Sequence, residues 1–278
     1  MYTERSVNLK SDFYKRYGEA SGRLYFEKTG LPCVVLDGGE NKMMFSLNCG
    51  VRAYGRAYGD VLRVLNADTN VCDVHFVKNG KGAQILYKTD IADLQGVRNT
   101  AIYTINNLLY KMGSTGRIEN DTSLESICDR YAPFGWCGVK LNGNFYSVPL
   151  PLFDYNVLLI QPRKTRITSK SEMLDRFRCS ENDRINGAYM ALKSYKIDTF
   201  FEILNESEKS AEMLLALSDE IVCAVHATYG IEGIAATRVC EYGIISFCGK
   251  EKTDNAILRI QNECKRNLGY SVRIAVVK

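Results

Sequence analysis

Ten cysteines occur in this chain without one CxxC pair, and only two histidines, His75 and His226, accompany them. Zinc sites draw on closely spaced ligand pairs, with histidines where thiolates are few. The thiols are therefore read as reduced, small buried hydrophobes, and neither a metal nor a disulfide framework is expected. Long apolar runs are absent too. Stretches such as Val157 to Ile160 fall far short of the roughly 20 residues that a membrane helix needs. The opening segment MYTERSVNLK is charged throughout, so no secretory signal is read there and a cytoplasmic, soluble protein is expected. One-sided charge is also missing. Lysine and arginine total 36 against 32 acids, and a net charge of +4 is too small at this length to argue for nucleic acid or an acidic membrane as partner. There is no internal repeat and no low-complexity segment.

What is present is an ordinary globular composition, 46% hydrophobic and 24% charged, in 278 residues, a length that favours two domains over one. Met43 to Leu47, Val61 to Leu65 and Ile85 to Tyr87 are short, apolar and bounded by Gly, Asn or Asp, as strands are. Val97, Ala101, Ile105, Leu108 and Met112 share one face of a helix that Gly113 stops, and a second helix spans Ser123 to Tyr131, before Pro133. The two prolines between Tyr146 and Asp154 read as an extended connector between domains. Tyr155 to Gln161 reads as a buried strand. Ser169 and Glu172 fit a capping box that opens a helix with the stripe Leu174, Phe177, Ile185, Ala188 and Leu192. Another helix runs from about Thr199 to Leu217. Gly243 to Cys248 is a strand, Thr253 an N-cap, Ile257 to Leu268 a helical face stopped by Gly269, and Val272 to Val277 a last strand. A strand and two helices followed by strand–helix–strand suits an α+β sandwich of ferredoxin-like type.

Three segments of this second half carry a more specific signal. They are Val148 to Leu152 (VPLPL), Ser171-Glu172 with Arg176, Arg178 and Cys179, and Phe201 through Asn205-Glu206-Ser207. Together they resemble the VPLPL, SEYN-x-RR-x-x-C and F-G-x-L-M-N-E-S segments of galactokinases, members of the GHMP kinase superfamily. The resemblance implies an α+β, GHMP-kinase-like two-domain fold. Residues 1–152 would form a ribosomal-protein-S5-domain-2-like N-terminal domain, and residues 153–278 a ferredoxin-like C-terminal domain.

The same resemblance locates four places where kinase chemistry is expected, and this chain departs at each. The sugar signature, PGR-V-N-L-I-GEHTDYNGG in the family, matches Gly22-Arg23 and the closing Gly38-Gly39 after Asp37, while Lys28, Thr29 and Gly30 stand in the GEHTD core. Arg23 is the family position that carries over, and Arg23 with Asp37 are the substrate-binding candidates; Arg23 also reads as a strand-end arginine in a surface ion pair. The phosphate loop GLSSSA corresponds to Gly96-Val97-Arg98-Asn99, with one glycine and no serine cluster. Arg98 suits an anion at a helix start, or is an ordinary first-turn residue. The catalytic-aspartate motif CGIMDQ reads Cys137-Gly138-Val139-Lys140-Leu141-Asn142, and a leucine cannot accept a proton. The glycine-rich return GARMTGGGFGGC reads Ala235 to Gly243, with Arg238 kept and Cys240, Glu241 and Tyr242 in place of glycines.

Catalytic residues are therefore expected to be absent. The chain reads as a galactokinase-like protein that binds a small, sugar-like ligand in an interdomain cleft, or serves as an interaction module, without turnover. No cofactor is expected on this reading. The alternative is an active ATP-dependent sugar kinase using displaced residues, with ATP and magnesium. The run from Gln161 to Lys170, with Arg163, Lys164, Arg166 and Lys170, reads as a solvated turn or an anion-binding loop. Tyr54 and Tyr58 alternating with Arg52 and Arg56 read as the exposed face of a hairpin or as a surface that stacks on a sugar or base, and the lone Trp136 as core or, by the resemblance, as filling space that substrate occupies in the family.

Overall fold

The computed structural model describes residues 9–19, 22–76, 81–90, 97–114, 118, 123–163, 167–168 and 171–277. The chain forms two compact units, residues 1–31 with 49–126 and residues 32–48 with 127–278, so the division runs through the first two strands.

The first unit contains α1 (Leu9–Tyr17), the start of β1 (Tyr25–Asp37), the end of β2 (Lys42–Ala57), β3 (Val61–Asn66), β4 (Cys72–Phe76), β5 (Ala83–Thr89), α2 (Val97–Lys111) and the start of α3 (Ser123–Tyr131). Its strands lie in the order β4-β3-β5-β2. The β3–β5 pair is parallel because β4 intervenes in the chain. Successive side chains of a strand face opposite ways, and both faces are used. Val64 and Ile85 pack with Ile105, Leu108 and Leu109 of α2, whereas Leu65 and Leu86 pack with Leu9 and Phe13 of α1. A Cβ on Gly55 would lie 2.8 Å from Leu108, which shows how closely α2 sits on β2. Gly113 ends α2 at φ 65°, as its sequence position implies.

The alternating Arg and Tyr of β2 are not an exposed hairpin face. Arg56 is buried, and its guanidinium donates to the carbonyls of Tyr17 (2.6 Å) and Gly18 (2.9 Å) and to Gln84. It thereby supplies a cation and donors to the free carbonyls at the C-terminus of α1.

The second unit holds the rest of β1 and β2, then β6 (Trp136–Leu141), β7 (Asn144–Pro149), β8 (Tyr155–Gln161), β9 (Ile167–Thr168), α4 (Ser171–Lys193), α5 (Ile197–Leu214), β10 (Ala216–Leu217), α6 (Asp219–His226), β11 (Ile234–Cys240), β12 (Gly243–Gly249), a 3₁₀ turn (Lys250–Lys252), α7 (Thr253–Leu268) and β13 (Arg273–Val276). The β8, β11, β12 and β13 strands form one antiparallel sheet in the order β11-β12-β8-β13, the ferredoxin-like arrangement. Leu158, Ile160 and Ile244 face α6 and α7 through Ile221, Val225, Ala256 and Ile260. On the other face Phe247 packs edge-on against Phe200 and tilted against Phe201 of α5. The helix entering β11 is thus α6, which the sequence reading missed; α4 and α5 are an added pair covering the opposite face.

Three further expectations need correction. Tyr146 to Pro149 is not a connector but β7, paired with β6, and Pro149 is tolerated because it ends an edge strand. Thr253 does not cap α7; it is the first helical residue after the 3₁₀ turn, and its hydroxyl donates to Gly249 O. Trp136 is not core, being 42% exposed. Ser169 of the expected capping box lies outside the described residues. Among the described residues no helix is long and apolar enough to cross a membrane.

Candidate functional site

Two hairpin turns of the second unit hold the residues that resemble, by their order in the sequence, the family's catalytic and glycine-rich motifs. Asn142 (φ 49°) and Gly143 (φ 79°) form the two-residue turn between β6 and β7, with Leu141 opposite Asn144. Both φ values are positive, as a type I′ turn demands, and an Asn-Gly pair meets that demand at low cost. The Asn142 N–H donates to the Asn41 side chain (2.8 Å), which donates to Asn182 of α4 (2.9 Å). Leu141 is half-buried and offers no polar atom. Earlier in β6, the Cys137 thiol donates to Met44 O, and burial pushes its pKa up to about 12. It is a structural donor, not a nucleophile. A Cβ on the neighbouring Gly138 would stand 3.1 Å from that of Ala132.

Glu241 and Tyr242 form the turn between β11 and β12. The Tyr242 hydroxyl bonds the Glu241 carboxylate; burial first, then the negative charge of Glu241, push the phenol far above its ordinary range. The glycine kept here is Gly243, at φ 131°, where a Cβ would lie 2.5 Å from Ile160 O on β8. Beside the turn, the buried Cys33 and Cys240 thiols are hydrogen-bonded, and this contact with burial raises the Cys33 pKa well above its usual value.

Arg238 sits just ahead of that turn and is fully engaged. It donates from Nη1 to Glu208 Oε2 (2.8 Å) and from Nε to Val35 O (3.0 Å), lies 3.7 Å from Glu181 Oε2, and covers the Phe177 ring. Glu181 accepts from Arg184 (3.0 Å) and Ser207 (2.8 Å), and Arg184 donates on to Ser210. Two buried acids thus face two arginines within one packed network. The same helix closes the free edge of β11. Asn205 donates to Ala235 O and accepts from Thr237 N, and Glu208 accepts from Val239 N (2.7 Å). Side chains of α5 therefore satisfy backbone groups that a further strand would otherwise pair. Sequence reasoning missed Glu181 and Glu208. The signal for the first was there: Glu181 falls four residues from both Phe177 and Ile185, inside the buried stripe of α4.

Arg23 precedes β1, is exposed, and stacks over the Tyr25 ring at 4.9 Å. Among the described residues it holds no ion pair. Asp37 ends β1, and its Oδ1 accepts from Gly39 N (2.9 Å) and Lys42 Nζ (2.8 Å), fixing the β1–β2 turn. Gly38 packs against α4 so closely that a Cβ would meet Asn182 Oδ1 at 2.2 Å. In the structure the two candidates thus have separate local partners, at either end of a 13-residue strand. Val97 and Thr100 of the α2 start are buried and Arg98 is exposed; residues 94–96 lie outside the described residues, as do 164–166 and 169–170 of the basic run. Each histidine does follow a cysteine by three residues, Cys72 before His75 and Cys223 before His226. Among the described residues, however, no group of three metal-ligating side chains assembles, and His226 bonds Glu212 instead.

No protein-family model and no curated protein matches the sequence. Solved structures do match in three dimensions. Lactococcus lactis galactokinase complexed with galactose superposes with a TM-score of 0.76 at 12% identity, covering 98% of this chain and 97% of that one. The fold is that of the GHMP kinases. Mevalonate kinase from L. major in complex with R-mevalonate (TM-score 0.63, 9% identity, 93% and 98% coverage) has the same fold. So does mevalonate pyrophosphate decarboxylase from Streptococcus pyogenes (0.63, 9%, 94% and 98%). At such identities the GHMP-kinase fold is shared as a chain path, and chemistry must be argued from the side chains.

Proposed function

We propose that this chain is a galactokinase-like protein that binds a small, sugar-like ligand, or a partner, without transferring phosphate. One observation carries the reading: Leu141, with no proton acceptor, stands in a two-residue Asn-Gly hairpin at the position resembling the family's catalytic aspartate. A general base contributes roughly 10²–10⁴-fold to such a step, and leucine contributes none of it. The return turn supports the same reading, since a carboxylate and a phenol occupy positions where the family brings bare backbone to phosphate. No cofactor is required on this reading. Arg23, exposed beside an aromatic ring, is the candidate ligand contact; Asp37 is a weaker one, because Gly39 and Lys42 already engage its Oδ1.

The second reading, an ATP- and magnesium-dependent sugar kinase using displaced residues, draws on the high coverage of the galactose-bound galactokinase. A coupled assay of ATP-dependent galactose phosphorylation, run beside thermal-shift titrations with sugars and with ATP, separates the two. A sugar-dependent shift without turnover is expected. Turnover with galactose or a related sugar overturns the first reading.

A further inference from the structure

At the far end of the same strands lies a cavity of about 480 Å³ that none of the candidate residues lines. Its wall is Phe45, Ser46 and Asn48 of β2, Phe134 to Trp136, Leu150, Leu152 and Phe153 of the connection into β8, Val157, and Lys250. Trp136 begins β6 and Leu141 ends it; Gly243 begins β12, and Lys250 follows its end at Gly249. At about 3.3 Å per residue the cavity is roughly 15–25 Å from the two hairpin turns. It is therefore a separate place, and its chemistry differs.

The volume lies within the roughly 300–1,000 Å³ of small-molecule sites, which are mostly apolar with a few placed polar groups. Among the described residues four aromatic rings line this one. Phe45 is buried at the wall, whereas Phe134, Trp136 and Phe153 stay exposed, Phe153 by 79%. Among the described residues only Ser46, Asn48 and Lys250 bring polar side chains, too few to match the hydroxyls of a sugar. Lys250 is the single charged residue of the wall among the described residues. Its backbone N–H is held by Asp154 O (2.9 Å), which fixes where the side chain starts. Among the described residues its ammonium pairs with no carboxylate, while Lys252, two positions on, pairs with Glu232 at 2.8 Å. One cation suits one anionic group and is far short of a triphosphate.

We propose that this cavity binds a small amphipathic carboxylate, an acyl or aryl acid whose apolar body lies among Phe45, Trp136 and Leu152 and whose carboxylate pairs with Lys250. The proposal holds whether or not the chain phosphorylates a sugar. Trp136 is the only tryptophan of the protein, so its emission reports directly on the cavity. The test titrates the full chain with octanoate and, separately, octanamide, following that emission and the heat of binding. A saturable change is expected with octanoate, with octanamide about tenfold weaker. Lys250→Met should bring octanoate down to the octanamide level, and Lys252→Met should leave it unchanged. Leu152→Asn, at a half-buried position, should weaken both probes. The proposal is overturned by no saturable change at millimolar octanoate, by equal affinity for acid and amide, or by Lys252→Met acting as strongly as Lys250→Met.

Discussion

Asn205, Ser207 and Arg238 are residues by which this sequence resembles galactokinases, and all three lie along the seam where α5 meets β11 or α4. Leu141 and Glu241, by which it departs, lie in tight hairpin turns. Every one of the seam residues serves packing. Asn205 closes a sheet edge, Ser207 donates to a buried acid, and Arg238 neutralises two. At the turns the positive backbone φ angles fall on Asn142, Gly143 and Gly243. A residue that holds two elements together and a residue that performs chemistry are thus separable even within one motif. Glu206, between Asn205 and Ser207, makes the point at single-residue scale, being exposed while its neighbours are engaged.

The seam is where substitution should hurt most. Arg238→Met leaves Glu208 and Glu181 buried without their shared cation. Removing one partner of a buried ion pair costs about 3–5 kcal/mol, since the remaining charge loses its compensation. Urea denaturation should show that loss. A change below about 1 kcal/mol would mean that the network is hydrated or dispensable, and the contrast with the turns would fail.

Asn205→Ala is expected to cost less, because the two groups it leaves, Ala235 O and Thr237 N, are at a sheet edge. Orphaning such groups costs about 1–3 kcal/mol each when they stay dry and little when water replaces the side chain. A total of roughly 1–3 kcal/mol is expected by denaturation, with faster hydrogen exchange at Thr237 than at Val239, whose N–H keeps Glu208. Equal exchange at both would place the edge closure elsewhere.

How far this seam could be read beforehand follows from the residues themselves. The stripes of α2 and α4, the strand β8 and the glycine stops of α2 and α7 were legible because each is a local pattern with a local cause. The long strand β1 and the second half of β2, beyond Met43 to Leu47, were not, since Gly30, Pro32, Gly50 and Gly55 break their periodicity. Gly50 is there because a Cβ would stand 2.0 Å from Thr29 O, a cross-strand reason that a linear pattern does not display. The short helix α6 was hidden between two stronger elements. At the candidate site the departures at 141 and 240–242 are departures from the motifs of the family that the sequence resembles. The local tie of Asp37 to Lys42 and the Glu181–Arg238–Glu208 network were not legible, because they depend on which elements meet.

Arg23→Ala tests a smaller effect. Its guanidinium over Tyr25 is exposed, and such cation–π contacts contribute roughly 0.5–1 kcal/mol. Stability should fall by no more than that. If Arg23 contacts a sugar, the thermal shift produced by that sugar should disappear in Arg23→Ala while the unliganded melting temperature hardly moves. A sugar-dependent shift unchanged by the substitution removes Arg23 from the site.

The smallest expected effect is none at all. Leu141→Asp puts a carboxylate beside the Asn-Gly turn, at a half-buried position. If the missing base alone silenced a kinase, this change should raise ATP-dependent galactose phosphorylation from background. We expect no increase, because phosphate must also be held. At the return turn, Glu241 and Tyr242 offer a carboxylate and a phenol where the family offers glycine N–H groups, and at the start of α2 Val97, Arg98 and Asn99 replace its serines. A hydrogen bond to a charged group contributes about 1.5–3 kcal/mol, so losing two weakens triphosphate binding by on the order of a hundredfold or more. Calorimetry should therefore detect no ATP binding at physiological concentration in the wild type or in Leu141→Asp. Micromolar ATP affinity in either protein would show that the altered turns still hold phosphate. Turnover by Leu141→Asp would reduce the difference between this chain and a galactokinase to one side chain.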